Sequence, residues 1–486
     1  MDIVALFQDL VNGLLKAEEE FFSNPRDLSS LEKATKTTTD ALAAQFLSGV
    51  LSSLDRQIYN SNYRKAYYNA QRIRQRSLVS LVGDLTFDCT LYRKKGVRDG
   101  GYVSLLPEVL GLEKHERFTE EAEVLMLTEA LKTSYAEAAR IMPSKQKVSK
   151  TTVMNKIHSL AEEMPMPEPE EKETAEYLYV EADEDHVAEQ HGGRTDSDEN
   201  KSFISKLIYV YKNKQEVKGC SGRKELTDKF YFSGLYPGPE GNEKLWNRVR
   251  KYLEDNYDLD KTKHVYISGD AASWIKSGVR YIDKAVFCAD KYHLMKYVNT
   301  AAAQMGKQKK NDFRNELWHL LNSKERARER FDEYTKQMLS KAKDPDKVED
   351  LRAYALGNWA AVRRMLRNKN VNGCSAESHV SHVLSDRLSS RPMGWSQTGA
   401  DRMSKLRCHE RNYGRDKIID LVRYSRDIQH GRRTGTDEGI IKKISLREVT
   451  AEHYDQARSY IERIQATIPG DTVRKSASII TQLKLL

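Results

Sequence analysis

What most constrains this chain is a succession of short periodic runs that starts after Met164-Pro165-Met166-Pro167-Glu168-Pro169. Apolar alternation with period two marks strands at about 176–183, 203–211 and 229–232. Tyr236-Pro237-Gly238-Pro239 breaks the pattern. A helix over 243–252, a strand at 264–269, a helix around 271–280 and a strand at 285–289 follow. The order β-β-β-α-β-α-β leaves few architectures open and asks for a mixed sheet with helices on its faces. Residues 294–370 are highly charged and carry no strand signal, which predicts an all-helical insertion before the chain returns.

Three acidic residues stand where these runs end or begin. Asp183 closes Tyr177-Leu178-Tyr179-Val180-Glu181-Ala182, and Asp270 closes His264-Val265-Tyr266-Ile267-Ser268-Gly269. Glu377 opens the helix-like run Ser378-His379-Val380-Ser381-His382-Val383-Leu384. The separations are 270 − 183 = 87 and 377 − 270 = 107 residues, so only tertiary structure can gather them. Gathered, they make an oxygen-only cage suited to Mg²⁺. Two such ions roughly 3.5–4 Å apart clamp the attacking and leaving oxygens of an in-line phosphoryl transfer. Taken singly, each acid is as readily a helix N-cap, Asp270 above all; the ordered fold context favours catalysis.

The flanks read differently. Residues 1–163 form a mainly helical N-terminal region suited to DNA binding, with helical spacing to about residue 80 and a small β element at about 79–105. A helix-turn-helix-like pair follows at 129–160. Ser149 would cap its second helix, and Lys150, Thr151, Thr152 and Asn155 would face the major groove. An ordinary two-helix hairpin has the same pattern. Segment 164–174, proline-rich and then acidic, reads as an extended solvated linker. The catalytic core takes 175–293 and, with Glu377, 371–400; a basic helical region takes 401–486.

Lys plus Arg number 80 against 71 Asp plus Glu, a net charge of +9 whose distribution says more than its size. Basic and aromatic residues mix over 63–76, and Arg402, Lys405, Arg407 and Arg411 begin a basic run that reaches Arg433. Such residues supply phosphate affinity without sequence information, although any one run alone is also a plain solvated face. The five cysteines, Cys89, Cys220, Cys288, Cys374 and Cys408, are widely spaced and lack a C-x-x-C pair, which points to reduced thiols. Cys288/His293 and Cys374/His379 have a spacing unusual for zinc. Trp274 and Trp395 read as core, and Asp196-Ser197-Asp198-Glu199 as an exposed, disordered loop. No apolar run approaches the roughly 18 residues of a membrane span, and the N-terminus is acidic where a signal peptide is basic. The expected location is the cytoplasm, in association with the nucleoid.

Three segments carry a family resemblance: Tyr179-Val180-Glu181-Ala182-Asp183-Glu184-Asp185-His186-Val187, Ile267-Ser268-Gly269-Asp270-Ala271-Ala272-Ser273-Trp274-Ile275 and Gly373-Cys374-Ser375-Ala376-Glu377-Ser378-His379-Val380-Ser381-His382. They resemble the DDE transposases of bacterial insertion sequences, in particular the ISLre group, related to the Mutator-like superfamily. Cys288-Ala289-Asp290-Lys291-Tyr292-His293 resembles that superfamily's C/D-x-x-H motif, here as Asp290 and His293. The resemblance spans 175–400 and extends loosely to the N-terminal part.

The resemblance implies an RNase H-like core, whose strand order is the one read above, interrupted by a helical insertion before the final Glu. It implies that Asp183, Asp270 and Glu377 hold two Mg²⁺ (or Mn²⁺) ions. The reaction would be cleavage at the element's ends and attack of the freed 3′-hydroxyl on target DNA. Asp290 and His293 would shape the site without ligating metal. Mutator-like proteins commonly carry an Asp-Gly step at the first acid. Asp183-Glu184-Asp185 stands here, and Asp185, on the same strand face, remains an alternative. Double-stranded DNA is the implied partner, both terminal repeats and target, and pairing two ends implies a homo-oligomer on DNA. An RNase H-like nuclease or resolvase would cleave without joining, and a non-enzymatic DNA-binding regulator would bind without cleaving.

Overall fold

The computed structural model describes residues 3–97, 101–112, 115–190, 202–217, 224–391 and 393–430. The fold is mixed α/β with helical flanks and divides into two compact units. The first comprises residues 1–126, 136–150 and 427–486, and the second 127–135 and 151–426.

In the first unit α1 (Ile3–Ser23), α2 (Leu28–Asn60) and α3 (Asn62–Tyr67) lead into the hairpin β1 (Tyr68–Ser80) and β2 (Gly83–Lys94), followed by α4 (Leu105–Val109). Helical structure to about residue 80 is therefore corrected, because Tyr68–Ser80 is a strand. The register shifts between Ala70 and Arg72, after which Arg72, Arg74, Arg76 and Leu78 lie opposite Leu91, Cys89, Phe87 and Leu85. Arginines at alternate positions hide a period-two pattern whose buried half is Leu78, Leu85, Phe87 and Cys89.

The edge of β2 is served by α2. The Ser48 and Ser52 hydroxyls each accept from a backbone N–H, of Thr86 and Asp88, at 3.0 Å. The Asp55 carboxylate accepts from the Thr90 N–H at 3.0 and 3.1 Å. A helix face thus satisfies every second N–H of a strand edge that would otherwise invite pairing. Three helices, α5 (Glu120–Ala130), α6 (Tyr135–Arg140) and α7 (Lys150–His158), lie where the chain passes between the units.

The second unit begins with β3 (Tyr177–Ala188), β4 (Ser202–Tyr211), β5 (Asn213–Glu216), β6 (Lys224–Thr227) and β7 (Phe230–Gly234). Then come α8 (Gly238–Asn256), β8 (His264–Gly269), α9 (Ser273–Ser277) and β9 (Ala285–Ala289). Its five-stranded sheet has the order β7-β4-β3-β8-β9. β3, β8 and β9 run parallel, and β4 is antiparallel to both neighbours. One face, with Leu178, Val180, Ala182, Ile208, Val210, Val265 and Ile267, packs against Leu245, Trp246, Val249 and Leu253 of α8. Each such fully buried side chain contributes about 1.5–3 kcal/mol. The other face carries stacked tyrosines, with Tyr179 ring centroids 5.1 Å from Tyr211 and 5.8 Å from Tyr266.

The stretch read as an insertion consists of α10 (Lys291–Ala303), α11 (Gly306–Asn322), α12 (Ala327–Leu339), α13 (Pro345–Gly357) and α14 (Trp359–Arg367). It has its own core, including Phe313, Leu317, Phe331, Leu351 and Val362. The chain returns through irregular residues 368–375 to α15 (Ala376–Val380), a π-helical turn at Ser381–Ser385 and α16 (Asp386–Leu388). α17 (Gln397–Tyr413) and α18 (Ile418–His430) follow.

Two segments differ from expectation. Residues 168–174 are exposed, as expected of a solvated linker, but 164–167 are not. The carbonyls of Met164, Pro165 and Pro167 accept from Arg248, Tyr413 and Asn256 at 2.8, 3.3 and 3.4 Å, which straps the segment to the second unit. Proline removes donors but leaves every carbonyl available as an acceptor. The start of the supposed basic C-terminal region is α17, a core helix with buried Met403, Leu406 and Cys408. Its Asn412 amide pairs with the N–H and C=O of Tyr231 at 2.8 and 2.9 Å and closes the edge of β7. The basic residues past 430, the acidic loop 196–199 and Cys220 lie outside the described residues. Among the described residues, no helix is long and apolar enough to cross a membrane.

Candidate functional site

Parallel pairing fixes the heights at which the acids leave the sheet. β3 and β8 pair as far as Glu181↔Ser268, and β8 and β9 as far as Gly269↔Ala289. Asp183 and Asp270 stand two residues past the first of these pairs, and Asp270 and Asp290 one past the second. Asp270 and Asp290 therefore leave the carboxyl ends of β8 and β9, where open α/β sheets present ligand-binding groups, whereas Asp183 lies within β3, which runs on to Ala188 beside β4 past the expected end at 183.

Local chemistry holds each one. A Cβ on Gly269 would lie 2.5 Å from the Ala182 carbonyl oxygen, so only glycine allows this approach of β8 to β3. Asp270 accepts from the Ala272 N–H at 2.8 Å. Between them Ala271 takes φ +73°, a left-handed conformation costing an L-residue about 1–2 kcal/mol. Asp290 caps α10 by accepting from the Tyr292 N–H at 2.9 Å, and the His293 ring lies 3.9 Å from its carboxylate.

Glu377 arrives from the far side of the insertion, in the first turn of α15. Ligand atoms of Asp183, His293 and Glu377 all lie within 4.8 Å of one another. Asp183 is buried, His293 half-buried and Glu377 exposed. Burial, and then the charges of Asp270, Glu377 and Glu184, push the Asp183 carboxyl up to about 7; the Glu184 N–H, donating to it at 2.9 Å, opposes them. Burial likewise raises Asp290.

This donor set fits a divalent cation. Ligands bound at about 2.0–2.2 Å around one ion stand roughly 3–4 Å apart, so slight closure suffices. Carboxylates suit Mg²⁺ and Mn²⁺, whereas imidazole is a donor for transition metals. His293 joins the group where the sequence reading gave it only a shaping role. Asp185 lies outside the group: one of its oxygens accepts from the Ser389 hydroxyl at 2.8 Å, and the other has no partner among the described residues.

Two residues near the site escaped the sequence reading. Glu181, 1% exposed, shares a strand face with Asp183; its signal is an acid within a run of tyrosines at alternate positions. Tyr354 of α13 has a buried hydroxyl without a hydrogen-bond partner among the described residues. Burial, then the charges of Asp290 and Asp270, raise its pKa. Nothing in the sequence around it signals a site.

The residues assigned to DNA are not equivalent. On α7, Lys150, Thr151 and Asn155 are exposed and Thr152 is half-buried. On α17, Lys405 and Arg407 are 4% and 5% exposed, which corrects their assignment as DNA contacts. Arg407 donates to the carbonyls of Leu131 and His382, both at 2.8 Å, and Lys405 to that of Glu162 at 2.6 Å. Arg402 is also engaged, by the Leu160 carbonyl at 3.1 Å and by Asp401. These guanidinium and ammonium groups satisfy the ends of interior segments. Arg411 is exposed.

Comparison with known proteins adds the following. A family model described as "Uncharacterised protein family (UPF0236)" matches residues 22–423. A UPF0236 protein of Caldanaerobacter subterraneus subsp. tengcongensis, whose name carries eleven locus designations, is 32% identical over 90% of this chain and 89% of its own. A second from the same organism, with four designations, is 32% identical over 91% of this chain and 86% of its own. Among solved structures, the Drosophila P element transposase strand transfer complex aligns over 76% of this chain and 92% of that chain, at 11% identity. Its TM-score of 0.21 is too low to bear on the fold.

Proposed function

The chain belongs to the UPF0236 family, and we propose that it is a DDE-type DNA transposase of a bacterial insertion sequence, built on an RNase H-like core. The observation that supports this reading is the meeting of Asp183, His293 and Glu377 in one ligand group; Asp270 lies outside that group, close enough for its charge to raise Asp183. The strand order β7-β4-β3-β8-β9, with one antiparallel strand between the first and third in sequence, agrees with an RNase H-like core. One relative's name carries eleven loci of a single genome, which suits a gene that copies itself.

In this reading Asp183, Asp270 and Glu377, aided by His293, hold Mg²⁺ or Mn²⁺. When bound, two such ions neutralise charge on the scissile phosphate and lower the pKa of water. The chain's own work is placement. β3 fixes Asp183 within its length, the end of β8 places Asp270, α10 fixes His293, and α15 brings Glu377 across to Asp183 and His293. Positioning of this kind supplies a large share of phosphoryl-transfer catalysis. Lys150, Thr151, Thr152 and Asn155 of α7 contact DNA, and the active species is a homo-oligomer on paired ends.

The test is labelled linear DNA carrying the element's ends, incubated with protein and Mg²⁺ or Mn²⁺, beside Asp270→Ala. Metal-dependent nicking and joining, lost in the variant, is the expected result. DNA binding without cleavage under every metal condition overturns it, and cleavage without joining assigns a nuclease instead.

A further inference from the structure

Glu181 is a buried charge that the proposed chemistry does not use. It lies on β3 two residues before Asp183, on the same strand face. Both of its oxygens are taken. One accepts from the Tyr211 hydroxyl at 2.7 Å. The other accepts from the Tyr209 hydroxyl, from the Ser375 N–H at 2.6 Å and from the Ser375 hydroxyl at 3.1 Å. Lys214 stands 3.6 Å away and also donates to the Gly373 carbonyl.

Ser375 is to Glu377 what Glu181 is to Asp183: two residues earlier on the element that presents the acid. The 181–375 tie therefore runs beside the 183–377 approach and fixes its spacing. It is needed because Glu377 follows an irregular segment. Further upstream that segment is held by tyrosines: the Tyr179 hydroxyl donates to the Asn370 carbonyl at 2.8 Å, and the Asn368 and Asn370 amides donate to the Tyr266 and Tyr177 hydroxyls, both at 3.0 Å. A carboxylate suits the post nearest the site, because it accepts from several donors at once and brings none of its own. A glutamine would face those hydroxyls with two donors.

We infer that Glu181 is a positioning residue, which anchors the Gly373–Ser375 turn so that Glu377 is held beside Asp183. Its consequence for catalysis rests on the transposase reading; the anchor itself does not.

Cys374 sits inside the anchored turn, and burial, then Glu181, holds its thiol well above the usual pKa. The residue as a whole is half-buried, but a thiol raised in this way is little ionised and reacts slowly. The experiment is timed alkylation of the full chain, read by mass spectrometry, in wild type, Glu181→Gln and Lys214→Met. Mn²⁺ and DNA affinities are measured alongside. Buried Cys288 and Cys408 report an intact fold. In folded Glu181→Gln, Cys374 labelling is expected to accelerate about 10-fold or more, with Cys288 and Cys408 unchanged. Mn²⁺ binding should weaken about 10–100-fold, as for other supporting residues of metal sites, with DNA affinity retained. Should Glu181→Gln not fold, Lys214→Met, which cuts the tie to Gly373 and the ion pair with Glu181 but leaves the Glu181–Ser375 bonds, must accelerate Cys374 by itself. Unchanged Cys374 protection in a folded variant overturns the anchor. Faster Cys374 labelling with unaltered Mn²⁺ affinity overturns the link to Glu377. An inert wild type with an anchor-dependent Cys374 overturns the transposase reading alone.

Discussion

Asp183 is raised from 3.8 to about 7, with burial the first cause, and this makes the free protein pH-sensitive. The folded state keeps a proton that the unfolded state releases between those values. The contribution is fully present below pH 3.8 and is lost as pH rises through about 7. At 1.36 kcal/mol per unit the loss is roughly 4 kcal/mol at most. Thermal melts should therefore show wild type losing more stability than Asp183→Asn between pH 5 and 8, and Mn²⁺ at pH 8 should restore wild type but not the variant. Equal pH slopes would remove the electrostatic account. Asp183 and Asp185 also separate. In the cleavage assay Asp183→Asn should lose more than about 100-fold, beyond the usual cost of an outer-shell residue, while Asp185→Asn keeps most activity. At this scale the sequence shows acids that end apolar runs, because a strand end is visible as a change of period. Glu181 stays hidden because nothing local says that the tyrosine face of β3 is covered by a returning turn.

Elements were legible where side-chain chemistry and burial agree. The strands of the five-stranded sheet are rich in apolar residues and read directly, whereas β5 and β6, Asn-Lys-Gln-Glu and Lys-Glu-Leu-Thr, carry no such pattern and stay hidden. β1 does not, because the positions that share a face with buried Leu78 are Arg72, Arg74 and Arg76, the first two exposed, residues that also suit an exposed helix. The service that α2 gives to β2 is likewise unreadable, since Ser48, Ser52 and Asp55 look like any polar helix face. It can be tested by substitution. Asp55 is 3% exposed, and Asp55→Ala leaves the Thr90 N–H and hydroxyl without their acceptor. At about 1–3 kcal/mol for a buried unsatisfied group, the first unit should lose roughly 2–4 kcal/mol, seen as faster hydrogen exchange over β2. No change in exchange there would mean that the edge needs no cover.

For the molecule as a whole, the donor group is closed by contributions from before and after a five-helix insertion with its own core. Phe331 is fully buried in that core. Phe331→Ala should cost about 3–5 kcal/mol, with exchange accelerating across α10–α14 while β3 and β8 stay protected. Mn²⁺ affinity should fall in step, since His293 stands in the first turn of the insertion's first helix and Glu377 follows its last, while Asp183 belongs to the sheet. Retained affinity would show that the sheet alone holds the ion. The helical character of 294–370 is legible in its charge and missing strand signal, but its packing is not, because each helix shows only a local stripe.

One consequence concerns the gene and its history. Glu377 is encoded 107 codons after Asp270, behind the whole insertion. A copy broken by a stop or frameshift within that interval still encodes Asp183, Asp270 and the exposed residues of α7, but not the last carboxylate. If the transposase reading holds, such remnants would be cleavage-dead from a single lesion in any of a hundred or so codons, with the α7 residues proposed to contact DNA left unchanged.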